Sequence, residues 1–77
     1  MLITDRIAQL CLFELEDSEV VIVEKVMTKK SNYYHKLIEL YNNSISSTRR
    51  ALEEIIDLIG YFFKYGDDEI ENIIFTD

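Results

Sequence analysis

A single cysteine, Cys11, and a single histidine, His35, leave this 77-residue chain without a staple. One cysteine cannot form an intrachain disulfide. One cysteine and one histidine cannot complete a tetrahedral zinc site within one chain. A domain of this size buries only about 60% of its unfolded surface, so its margin of stability is thin. What remains is a well-packed core, reinforced by self-association. The apolar fraction, 48%, is high for so short a chain and fits a buried homodimer face. The length allows one domain, residues 1–77.

No apolar run at the N-terminus leads to a small-residue cleavage site. No stretch approaches the roughly 20 uncharged apolar residues of a membrane span. The longest greasy segment, Ile55 to Phe63, contains Asp57. A cytoplasmic or host-intracellular protein with no membrane partner is expected. Eleven isoleucines against two alanines and no proline is a balance common in AT-rich genomes, including many phages and low-GC bacteria.

The net charge of −7 argues against nucleic acid as a partner, but the charge is uneven. Residues 1–23 are acidic, residues 51–77 are strongly acidic, and six of the eight basic residues lie between them. A basic middle between acidic ends is an electrostatic footprint or ordinary surface scatter.

The apolar spacing predicts a helix from about Thr4 to Glu16, capped by Thr4 or Asp5, with a strand over Leu10–Glu16 as the competing reading. Asp17–Ser18 reads as a break. The run Val20-Val21-Ile22-Val23 is β-branched throughout and predicts a short strand over 19–26, with a helix as the alternative. A polar loop follows at Thr28–Asn32. Ser31 is placed to cap a helix whose stripe is Tyr34, Leu37, Ile38 and Tyr41, ended by Asn42-Asn43-Ser44. Ser46 is placed to cap the strongest helix. Its stripe is Thr48, Leu52, Ile55 and Ile59, widened by Ala51 and Leu58, with Gly60 as its stop. Tyr61–Tyr65 and Ile70–Phe75 then read as a hairpin around the turn Gly66-Asp67-Asp68-Glu69.

The segment Leu37-Ile38-Glu39-Leu40-Tyr41-Asn42-Asn43-Ser44-Ile45-Ser46-Ser47-Thr48-Arg49-Arg50-Ala51-Leu52-Glu53-Glu54-Ile55 resembles the core motif of winged helix-turn-helix domains: a short helix, a tight turn, a Ser/Thr cluster, then a helix opening with arginines. The expected fold is accordingly α+β and mostly helical, in the winged-helix-like order α-β-α-α-β-β. The alternative is an all-α small helical bundle. The chain departs from the family pattern at Ile38, where a small residue is preferred, and at Asn42 and Asn43. Ile45 is the residue available to supply the missing apolar contact.

The resemblance implies a transcriptional regulator that sets the helix at 46–59 into the major groove of double-stranded DNA. Ser46, Ser47, Arg49 and Arg50 occupy the end that such a helix presents to bases and phosphates. Arginine pairs bidentately with guanine or clamps phosphate. Two arginines in a first turn oppose the helix dipole, a local conflict expected where function overrides preference. The bland reading makes Arg49–Glu53 and Arg50–Glu54 ordinary i,i+4 pairs. Lys29, Lys30 and Lys36 would lie where backbone phosphates pass, and Lys64 on the wing, whose acidic tip DNA would repel.

No catalytic site is expected. His35 and Cys11 have no orienting third group. Asp67, Asp68, Glu69 and Glu71 lack the alternate spacing of a calcium loop and read as a solvated turn. The five tyrosines fit core edges better than base stacking. No metal or cofactor is expected. The rival to the DNA-binding reading is an acidic protein-interaction module or inhibitor, at the extreme a DNA mimic, that binds a basic surface of a host or partner protein.

Overall fold

The computed structural model describes residues 1–72, apart from the side chains of residues 29–31. Four helices run in order: α1 (Ile3–Glu14), α2 (Asp17–Lys29), α3 (Tyr34–Asn43) and α4 (Ser46–Tyr65). A 3₁₀ turn, Lys30–Tyr33, joins α2 to α3, and another, Ile70–Asn72, follows α4. The described residues contain no strand, only one antiparallel bridge between Leu2 and Glu69. The α+β, winged-helix-like expectation is therefore overturned, and the architecture is an all-α bundle.

The strand expected over 19–26 fails on period. In a strand, Val21 and Val23 share a face. Here Val21 is 50% exposed and Val23 is 1% exposed. Burial instead follows Val23 and Val26, with Val20 and Met27 packed beside them, at helical spacing. The start of the helix is fixed locally. The Glu19 side chain accepts from the Glu16 backbone N–H at 2.8 Å, and the Glu16 carbonyl accepts from Glu19 and Val20. That is one half of a capping box, made at Glu16 rather than at a Ser or Thr. The helix-propensity deficit of β-branched residues is at most about 0.7 kcal/mol each, small against burying Val23 and Val26.

The C-terminal hairpin fails for a related reason. Tyr61–Tyr65 continues α4, because Ile55, Ile59 and Phe62 keep one stripe against the core. Gly60 does not stop the helix. Its place is exposed and open, so it costs only the roughly 1 kcal/mol of a mid-helix glycine. The stop is Gly66, whose φ of 77° and ψ of −158° suit glycine almost alone. The second expected strand begins as the turn Ile70–Asn72, and its remainder, residues 73–75, lies outside the described residues.

The expected caps also shift. The N-cap of α1 is Leu2, of α3 Tyr33 and of α4 Ile45, none with a side-chain cap bond. For α1 the missing acceptors come from the far end of the chain. Asp67 accepts from the Thr4 N–H at 3.0 Å and from its hydroxyl at 2.7 Å, while the Asp68 carbonyl accepts from Ile3. Ile70 donates to the Met1 carbonyl, and the Met1 amine pairs with the Glu69 carboxylate. The segment expected as a free acidic turn, or wing tip, is thus a clasp on the start of α1.

The helices share one core, built on Ile3, Ile7, Val23, Val26, Leu37, Leu52, Ile55 and Ile59. Helix α1 packs along α4, α4 against α3, and α3 against α2. Helices α1 and α2 meet only sparsely. Arg6 bridges the α1–α4 seam, with Nε and Nη2 on the two oxygens of Glu54 at 2.6 and 3.1 Å and Nη1 on Gln9.

Candidate functional site

The sparse meeting of α1 and α2 leaves a groove of about 490 Å³. Ile7, Cys11 and Val23 lie at its floor, all buried. Ala8 and Leu12 wall it from α1, Val20 and Met27 from α2. Thr4 and Thr28 close one end, and Leu15 and Asp17 the other. The pattern follows from two stripes. The deep stripe of α1, Ile3-Ile7-Leu10-Cys11, faces the core. Ala8 and Leu12 lie one step around the helix and are apolar and exposed, Leu12 at 76%, while Leu15, just past the helix, is partly buried against the core.

Among the described residues, the charged ones lining the groove are Asp17 and Glu24. Lys25, next along α2, turns its ammonium toward the Tyr33 ring, 5.9 Å from the centroid. The Cys11 thiol is pushed up to about 11, first by burial and then by the charge of Glu24. It is a neutral, slow nucleophile at ordinary pH, so the groove carries no activated thiol. The groove thus combines an apolar floor with two carboxylates.

The residues expected to contact DNA fall at two separate corners. Ser46, Ser47, Arg49 and Arg50 are all exposed in the first turns of α4, which follows α3 after a two-residue link. The Arg49 guanidinium lies over the Tyr41 ring at 4.9 Å. Arg50 shares a hollow with Glu14 and Glu54, but Glu54 is committed to Arg6, and the expected Arg50–Glu54 pair is not made. Lys29 closes α2 and Lys30 opens the following turn. Lys36 is exposed in the first turn of α3, with its ammonium 5.0 Å from the centre of Tyr33. These three lysines therefore gather at the opposite end of α3 from Arg49. Lys64, expected on a wing, is in the last turn of α4 over Tyr65.

The surroundings of the α4 start are acidic. Glu14, Glu16 and Glu19, from the α1–α2 corner, share a hollow of about 350 Å³ with Ile45 and Thr48. Ile45 is 74% exposed and does not supply the apolar contact expected of it in the motif.

The groove escaped the sequence reading, although Leu12 beside a stripe already complete without it was a visible signal. No helix among the described residues is long and apolar enough to cross a membrane. No protein-family model, curated protein or solved structure matches this chain.

Proposed function

We propose that this protein is an acidic interaction module that acts by binding a basic partner protein through the surface formed by α1 and α2. The observation that carries this reading is the α1–α2 groove, mainly apolar in its lining and, among the described residues, charged only by Asp17 and Glu24. Leu12, 76% exposed, carries its apolar surface outward. Protein interfaces of this kind place an apolar centre inside a charged rim, and the rim sets partner choice and encounter rate.

A photoreactive benzoylphenylalanine in place of the groove residue Leu12, compared with one in place of the exposed Asp57 on α4, tests it in cells that carry the protein. The expected result is a basic protein crosslinked from position 12 and not from 57, and lost when Asp17 and Glu24 become Asn and Gln. Crosslinks that ignore these two carboxylates, or that arise only from position 57, would overturn the reading.

A second reading is binding of duplex DNA by the start of α4, and the joint exposure of Ser46, Ser47, Arg49 and Arg50 favours it. Against it stand the carboxylates of Glu14, Glu16 and Glu19 beside that same turn.

A further inference from the structure

Resting on the interaction-module reading, we propose that the occupant of the α1–α2 groove is one amphipathic helix of the partner, its apolar stripe on Cys11, Leu12, Val20 and Met27 and its Lys or Arg flanks against Asp17 and Glu24. Three features select this occupant.

The first is the shape of the gap. The helix pairings run α1–α4, α4–α3 and α3–α2, and only the α2–α1 side is left sparse. A helix laid between α1 and α2 would close that side, as helices in bundles do by setting side chains into the grooves of their neighbours. From Thr4 to Leu15 the groove follows α1 for roughly 16 Å, about three helical turns. An extended peptide has no sheet edge to join among the described residues.

The second is charge. Both charged lining residues are carboxylates, and the neighbouring cation of α2, Lys25, is drawn to Tyr33. Asp17 and Glu24 stand seven residues apart on the α2 wall, so acidic residues along that edge of an apolar helix would meet like charge twice, whereas basic residues there meet a partner at each.

The third is that none of the four described helices suits a second copy. The apolar faces of α3 and α4, the helices that carry Lys36, Arg49 and Arg50, are turned to the core on Leu37 and on Leu52, Ile55 and Ile59. Helices α1 and α2 would bring their own carboxylates, setting Asp17 and Glu24 against like charge.

The test uses the full chain and two synthetic helical peptides of about 16 residues. Both carry Leu at i, i+3, i+4 and i+7. One has Lys flanks and the other Glu flanks. Binding is read by calorimetry, and its location by nuclear magnetic resonance, from the methyl signals of Leu12, Val20 and Met27. The Lys peptide is expected to bind at least about tenfold more tightly than the Glu peptide and to shift those signals. The exposed-site variant Asp17→Lys/Glu24→Lys should reverse that order, and Leu12→Ser should weaken both peptides. Circular dichroism confirms that each variant is folded.

Equal affinity for the two peptides, an order unchanged in the charge-reversed variant, or binding that leaves those methyl signals unmoved would overturn the proposal. So would self-association that shifts them in the absence of peptide, since the occupant would then be a second copy. If the peptides fail while crosslinking from position 12 still depends on Asp17 and Glu24, the interaction module stands and only its helical occupant is lost. If both fail, both readings fall.

Discussion

Asp67 caps the first turn of α1 from 63 residues further along the chain: its carboxylate takes both the N–H and the hydroxyl hydrogen of Thr4. The first turn of α1 has no side-chain cap of its own, so its free N–H groups depend on this loan from the far end of the chain. The carboxylate also sits at the positive end of the α1 dipole. Asp67→Ala is expected to lower the melting temperature by a few degrees, and Asp67→Asn by less, because the amide oxygen still accepts. Thermal unfolding followed by circular dichroism checks both. Equal melting temperatures in all three proteins would show that the clasp adds nothing.

The same contact carries a pH signature. The two hydrogen bonds from Thr4 hold the Asp67 carboxyl below its ordinary range. A group whose folded pKa is depressed stabilises the fold fully above its unfolded pKa, near 4 for an aspartate. That contribution is lost as pH falls through the lower, folded value. Stability measured by urea unfolding should therefore fall more steeply below about pH 4 in the wild type than in Asp67→Asn, which has no proton to take up there. Parallel curves for the two proteins would remove Asp67 from the acid transition.

The two glycines give substitutions of opposite sign. Gly60 is mid-helix, exposed, and a methyl group there would meet nothing within 4 Å. Gly60→Ala should stabilise by about 1 kcal/mol, the usual gain for removing a glycine from a helix interior. Gly66 sits at φ 77° where α4 ends. Gly66→Ala should destabilise by about 1–3 kcal/mol, the cost of an L side chain in that region. Urea unfolding of the two variants checks the pair. If Gly60→Ala destabilised and Gly66→Ala did not, α4 would end at Gly60 and the hairpin reading would return.

This reversal shows why part of the fold was legible and part was not. The stripes of α1, α3 and α4 are spaced cleanly enough that Ile7, Leu37 and Ile55 read as core from the sequence alone. Val20–Val23 misled because a β-branched run carries strand propensity whatever its period, and only the unequal burial of Val21 and Val23 reveals the period. Gly60 and Gly66 are equally plausible stops in sequence. The choice is made by Phe62, which packs on the core only if the helix continues. The caps were misplaced because Thr4 looks like a local cap, while its actual role is to donate to Asp67. The groove was the least legible feature. It arises from a helix pairing that is weak, and spacing along one helix does not report which neighbour it lacks. The acidic balance of residues 1–23 was the available trace of its rim.

Arg6 and Glu54 tie α1 to α4 with a two-pronged contact, and hydrogen bonding to Glu54 raises the Arg6 pKa further above its already high value. Both side chains remain substantially open to water, so screening limits the pair to about 0.5–1 kcal/mol. A double-mutant cycle between Arg6→Ala and Glu54→Ala should return a coupling of that size, shrinking as salt is added. The same cycle between Arg50→Ala and Glu54→Ala should return almost none, because Glu54 already serves Arg6. A larger coupling for Arg50 would put the ordinary i,i+4 pair back in place of the interhelical one.

Duplex DNA gives the sharpest test of the opening turn of α4. Residues lining one hollow of about 350 Å³ lie within roughly a Debye length of each other at physiological salt. Phosphates approaching Ser46 and Ser47 would therefore feel Glu14, Glu16 and Glu19 at the same time as Arg49 and Arg50. With three carboxylates against two guanidiniums and a net charge of −7, repulsion wins. The expected outcome is no retention of random or AT-rich duplex by the wild type at low salt, and no change in Arg49→Ala/Arg50→Ala. The variant Glu14→Gln/Glu16→Gln/Glu19→Gln should then acquire weak binding that fades steeply with salt, as phosphate contacts do. Binding by the wild type that is salt-sensitive and abolished by the double arginine variant would mean that the arginines outweigh the carboxylates. The working surface would then be the start of α4, and the α1–α2 groove would need another purpose.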